Sequence, residues 1–215
     1  METRFALWRR LGAVAFLAAA LCGPAQAHPH LLINVETTVI YENGAFTGLL
    51  HAWTFDEMNS AAETEGLDKN KDGKYDRAEL QELADLYAQR LKAVSFFTSA
   101  KLANQAIAFG NAKDQWVEYK NNAITLYFTA PFAKPVLSEA QGLTFSVSDP
   151  SYYIAFSLAE KPDAVRFSSG APPICKAKIA DAEPSQPTGL QESFSALNAF
   201  GLSAPKTVLV ECKAP

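Results

Sequence analysis

Histidine is scarce in this chain. Only His28, His30 and His51 occur among 215 residues. The many serines beyond the N-terminal quarter therefore have no imidazole base near them in sequence, which argues against hydrolase chemistry of the triad type. No nucleophile–base pair and no phosphate-cradling glycine loop is found. Basic clusters are missing too, so nucleic acid and anionic membranes are poor partners. Long apolar runs are absent after the first 27 residues, and no transmembrane helix is expected beyond them. Cysteine is rare, with three in total.

What is present starts with a leader. Arg4, Arg9 and Arg10 form a basic front, Leu11 to Leu21 is apolar, and Ala25-Gln26-Ala27 supplies the small residues of a signal-peptidase cut. Cys22 follows Leu21, which is too large for the residue before a lipidated cysteine. The expected product is exported to the periplasm and begins at His28. Removing 27 residues leaves 188, with 16 basic against 22 acidic side chains. That length suits one domain with a core, residues 28–215. Its two remaining cysteines, Cys175 and Cys212, are expected to pair in an oxidising compartment.

The residues from Leu31 to Tyr41 are β-formers, Asn43-Gly44 is a hairpin turn, and Phe46 to Trp53 alternates again. Thr54, with Glu57 three residues on, reads as a capping box opening a short helix to about Gly66. A second helix carries Leu80, Leu83, Leu86, Tyr87, Leu91 and Val94 on one face. After Phe97 the period becomes two. "QWVEYKNNAITLYF" turns at Asn121-Asn122, and "LTFSVSD", "YYIAFSL", "VRFSS", "ICKAKIA" and "TVLVEC" are predicted strands. "LQESFSALNAF" is predicted as one late helix. The expected fold class is α+β: a mostly antiparallel β domain with an EF-hand-like helix–loop–helix inserted at about 54–96.

The loop of that insert is "DKNKDGKYDRAE". Asp68, Asn70, Asp72, Asp76 and Glu79 stand at positions 1, 3, 5, 9 and 12 of a calcium loop, with Gly73 at the turn. Lys74 stands at position 7, where the backbone carbonyl is the ligand, so its charge does not forbid binding. Calcium is the expected cofactor. Tyr75 at position 8 and the lack of a partner loop imply weak, structural binding, near 10⁻⁴ M or about that.

Cleavage after Ala27 would leave His28 with a free α-amine beside its imidazole, and His30 adds a third nitrogen. Imidazole suits zinc, copper, nickel and iron. Pro29 has no amide hydrogen, which argues against square-planar amino-terminal coordination through deprotonated amides. If Asn43-Gly44 is a plain two-residue turn, His51 faces Glu36 and His30 faces Glu57. His51 then lies about 20 Å along the strand from the N-terminal pair. Glu57 has a capping role to fill, Asp56 suits a helix start, and His51 alternates with Trp53 and Phe55 as a core residue does. Asp149-Pro150 opens a turn, with Tyr152, Tyr153 and Phe156 on the following strand.

Taken in order, "HPH" after a signal peptide, "HAWTFDE", "DKNKDGKYDRAE" and "SVSDPSYYIAF" resemble the ZevA type of bacterial periplasmic proteins, found beside or fused to NicO-type permeases for nickel, cobalt or zinc. The resemblance spans nearly the whole exported chain. It implies a periplasmic accessory protein, not an enzyme, for divalent transition-metal transport, with an inner-membrane permease as partner. It matches His28, His30, His51, Asp56 and Asp149 to the family's histidines and aspartates, with zinc first among the candidate metals. Two other functions are weighed beside it. One is a copper oxidase using a histidine brace, and the other is a calcium-stabilised interaction domain without a transition metal.

Overall fold

A computed structural model describes residues 30–151, 153–181 and 205–212. His28 and the predicted late helix at 190–200 lie outside the described residues. Among the described residues the fold is α+β, with two mostly antiparallel sheets and two α-helices.

The chain opens with the expected hairpin. Strand β1 covers Leu31–Glu42 and β2 covers Ala45–Phe55. Asn43 and Gly44 both take positive φ, 50° and 86°, which is what a tight hairpin turn of this type requires. The register departs from the simple expectation. Glu42 pairs Ala45 and Tyr41 pairs Phe46, but Ile40 then pairs Gly48. Thr47 is therefore the extra residue of a bulge. Every pair beyond it shifts by one, so His51 faces Thr37, not Glu36, and Phe55 faces Ile33. Gly48 follows the bulge at a point of close strand approach. A Cβ at this position would sit 2.8 Å from the Ala130 carbonyl oxygen, so only glycine lets the neighbouring strand come this close.

Helix α1, Glu57–Thr64, begins two residues later than the capping-box reading places it. Thr54 stays in β2 and bonds Thr125 across the strands at 2.9 Å. Asp56 is the N-cap, its carboxylate accepting from the Asn59 amide at 2.9 Å. Glu57 is thus not a capping partner. The long helix α2, Arg77–Ala93, does carry a capping box, formed by Asp76 and Glu79. It buries Leu80, Leu83, Ala84, Ala88 and Leu91, whereas Leu86 and Val94 face out at 38% and 47% exposure. Their exposure narrows the expected stripe.

The remaining strands are β3 (Thr98–Leu102), β4 (Gln105–Ala106), β5 (Lys113–Lys120), β6 (Ala123–Leu137), β7 (Leu143–Val147), β8 (Ile154–Leu158), β9 (Val165–Phe167), β10 (Lys176–Asp181) and β11 (Lys206–Glu211). One sheet runs β5-β6-β2-β1-β8, with β9 also on β1; the other runs β10-β11-β7-β3-β4. Both β8 and β9 lie parallel to β1. The inner face of the first sheet is covered by two different layers. At one end α2 packs over Trp53, Val117, Ile124 and Leu126. At the other end the second sheet packs over Val39, Phe46 and Leu49. The two cores meet near His51 and the turn at Ser95–Phe97.

Candidate functional site

Asp68 begins a hydrogen-bonded loop. Its carboxylate accepts from the Asp72 and Gly73 amides at 3.1 and 3.0 Å. The Asn70 side chain accepts from the Asp72 amide at 2.8 Å, and the Asp72 carboxylate from the Lys74 amide at 2.8 Å. Gly73 has φ +77° with open space beside it, so a side chain here would be strained by conformation, not by crowding. Glu79 closes the loop. One oxygen accepts from the Lys69 and Asn70 amides at 2.9 and 3.2 Å, and the other accepts from the Asp76 amide at 3.1 Å. Asp68, Asn70, Asp72, Asp76 and Glu79 are thus gathered by one loop and its exiting helix. Each carboxylate has acceptor capacity beyond the amides it serves. Among the described residues no three His, Cys, Asp or Glu side chains converge as they do around a bound ion.

His51 stands apart from this loop. Fully buried in β2, it packs on Trp53 and Phe128 at centroid distances of 5.8 and 5.2 Å. Thr98 donates its hydroxyl to the Phe96 carbonyl at 2.7 Å, so its oxygen receives Nε2–H of His51 across a longer 3.4 Å contact. Nδ1 is left to accept from Thr37 at 3.0 Å. Desolvation lowers the His51 pKa to about 3, so the ring is neutral. The sequence did not single out Thr37 or Thr98; only the shifted register places Thr37 opposite the ring.

His30 is exposed where the described chain begins. Its amide donates to Tyr153 at 2.9 Å and its ring lies 5.0 Å from that of Tyr153. Thr37 is seven residues further along β1, roughly 20 Å away, so the structure does not bring His51 to His30. Asp56 does come close. Its carboxylate accepts from the Leu32 amide at 3.0 Å and the Asn59 side chain at 2.8 Å, and Asn59 also reaches the His30 carbonyl at 3.2 Å. Partial burial acts to raise the Asp56 pKa, but the hydrogen bonds from Asn59, Leu32 and Met58 outweigh it and lower it.

Asp149 lies at the start of the turn that leads to Tyr153, the residue His30 contacts. It is buried, and accepts from the Ser151 amide and hydroxyl and from the Ile154 amide at 2.7 to 3.0 Å. These bonds shape the turn that presents Tyr153. An open cleft of about 750 Å³ lies between this turn and Val94, Phe97 and Thr98. Cys175 and Cys212 form the expected disulfide.

No helix among the described residues is long and apolar enough to cross a membrane. A family described as "Protein of unknown function (DUF1007)" matches residues 13–212. An "Uncharacterized protein" of Haemophilus influenzae (strain ATCC 51907 / DSM 11121 / KW20 / Rd) is 27% identical over 197 residues, covering 87% of this chain and 92% of that protein. No solved structure matches.

Proposed function

For this chain, which belongs to the DUF1007 family, we propose a periplasmic metal-binding accessory role in divalent transition-metal transport. The ion is taken by His28 and His30 after leader removal, with zinc ahead of nickel, cobalt and copper. The helix–loop–helix from α1 through α2 is an EF-hand-like insert whose loop holds calcium for stability. Asp68, Asn70, Asp72, the Lys74 carbonyl, Asp76 and Glu79 are its ligands, taking the positions that such a loop demands. The partner is a NicO-type permease, by resemblance to the ZevA type.

The observation that carries this reading is the separation of the two histidines. His51 is locked in the core with both ring nitrogens engaged, whereas the His30 imidazole is exposed and only stacks on Tyr153. An exposed ring beside a terminal amine makes a labile site, suited to transfer. Asp56 already serves the Leu32 and Asn59 amides and Asp149 those of Ser151 and Ile154, and both act here as supports of the segments that His30 contacts. A copper brace drawing on His51 has no geometric support, because that ring lies roughly 20 Å away along the strand.

The test is zinc and calcium titration of the exported protein, with its first residue determined by mass spectrometry. His30→Ala is expected to weaken zinc binding at least about tenfold while leaving calcium binding intact. Unchanged zinc affinity in His30→Ala, or a first residue beyond 30, refutes the transfer role. The reading of a calcium-stabilised interaction domain draws on the exposed Met58, Val94 and Tyr153, at 75%, 47% and 58%. Calcium as the sole ligand favours it.

A further inference from the structure

Calcium loops of the helix–loop–helix kind are ordinarily stiffened by a second loop, and this chain carries one loop only. Strand β5 lies where that support is needed. Val117 of β5 is buried, so Tyr119 shares its inner face and Trp116 points to the opposite one. Tyr75, at loop position 8, meets Tyr119 with ring centroids 4.7 Å apart. Arg77, two residues on, places its guanidinium 4.6 Å from the centre of the Trp116 ring. Trp116 is itself stacked flat on Tyr127 of β6, at 4.0 Å and 6°. The loop's exit thus straddles β5, with one aromatic contact on the inner face and one cation–ring contact on the outer. One turn into α2, Gln81 reaches the Gln115 carbonyl at 3.4 Å, and a turn later Asp85 accepts from Gln81 and Gln115, both at 2.9 Å. Nothing in a solvated polar loop requires this grip. Tyr75 and Arg77 both fall inside the twelve-residue stretch, between the position-7 carbonyl and Glu79.

We infer that β5 replaces the missing partner loop: Tyr75 and Arg77, held on Tyr119 and Trp116, are positioning residues that preset the loop for calcium. The inference rests on the calcium reading above. Ligands at positions 1 to 7 and Glu79 at position 12 lie on opposite sides of the gripped residues. Releasing the grip frees the two halves of the ligand set to move apart. The cost then appears in calcium affinity, because the ion must reorder the loop on binding.

The experiment uses the whole exported chain. Calcium affinity is measured by calorimetry and, with terbium as probe, by luminescence sensitised through Tyr75. Thermal unfolding is recorded in chelator alongside. Arg77→Ala and Tyr119→Leu are each expected to weaken calcium binding about tenfold, the scale of one such ring contact. The unfolding midpoint in chelator should stay near that of the parent. Tyr119→Phe keeps the ring and should restore affinity. Tryptophan emission should respond to calcium in the parent and lose that response in Trp116→Phe. Parent-like calcium affinity in both Arg77→Ala and Tyr119→Leu overturns the inference, as does an affinity loss that Tyr119→Phe fails to rescue. Failure of the parent itself to bind calcium or terbium instead removes the calcium reading, and is a separate result.

Discussion

His51 illustrates how one residue can join two cores. It sits where the layer under α2 meets the layer under the second sheet, and its ring links Thr37 of β1 to Thr98 at the start of β3. The link matters because Thr98 also holds the Phe96 carbonyl. A charged ring cannot serve this chain: both nitrogens would donate, and Nδ1 would lose its acceptor role toward Thr37. Burial, which strips water from the charged ring, separately pushes its pKa down to about 3. The sign of the effect on stability is fixed by linkage. An unfolded histidine titrates near 6.5, so between about 6.5 and 3 the unfolded state holds the extra proton. The stabilising contribution is complete above about pH 6.5 and is lost as pH falls toward 3. The slope approaches roughly 1.4 kcal/mol per pH unit. Urea unfolding from pH 7.5 to 4.0 should show this loss in the parent and a shallower slope in His51→Leu. Equal slopes in the two proteins mean that His51 is not buried neutral.

Among the elements, the turn between α2 and β3 is the most strained. Ser95, Phe96 and Phe97 have φ of 50°, 58° and 45°, three consecutive non-glycine residues in the left-handed region. Each costs roughly 1 kcal/mol or more relative to ordinary backbone. Packing offsets it. The Phe96 ring is fully buried and stacks on Phe128 at 5.7 Å, and the Phe97 carbonyl accepts from the Ser148 amide at 2.8 Å. Ser95 is exposed, so its side chain contributes little to that balance. Ser95→Gly should therefore raise unfolding free energy by up to about 1 kcal/mol, less the added freedom of the unfolded chain. A fall in stability on chemical denaturation would mean that Ser95 itself holds the turn.

Nothing local announces this turn, and the same distinction runs through the other elements. Asn43-Gly44 and Asn121-Asn122 were readable because their turn chemistry lies within the two residues, all four with positive φ. The order of the acidic loop and the alternation of most strands were readable for the same reason. The bulge at Thr47 was not, because it lies where β6 approaches Gly48 from 80 residues away or more. That bulge alone moves His51 from Glu36 to Thr37. Thr54 and Glu57 have the spacing of a capping box, yet Thr125 claims Thr54 from across the sheet and Asp56 takes the cap. The support of the acidic loop by β5 was hidden likewise. Tyr75 reads as a departure from the loop pattern until Tyr119 is placed beside it.

At the scale of the molecule, the two cores are held by different means. The layer under α2 is closed by side-chain packing among helix, sheet and the Phe96 turn. The layer between the sheets includes Cys175, with Cys212 packed against it. The disulfide joins residues immediately outside the paired ends Lys176 and Glu211 of β10 and β11. It therefore fastens the second sheet where the hairpin opens. With the cysteines 37 positions apart in sequence, the bridge should stabilise by about 4 kcal/mol if unfolded-chain entropy dominates. Its loss should not be felt evenly. β11 supplies Val208 and Val210 to the core between the sheets, while Leu126, Ile124 and Val117 belong to the other. Reduction, or paired Cys175→Ser and Cys212→Ser substitution, should lower the unfolding midpoint and speed amide exchange first in β10, β11 and β7. Exchange in β2 and β6 beneath α2 should change later and less. Equal acceleration in both groups would mean that the cores open as one unit, with the His51 chain rigidly coupling them across the seam.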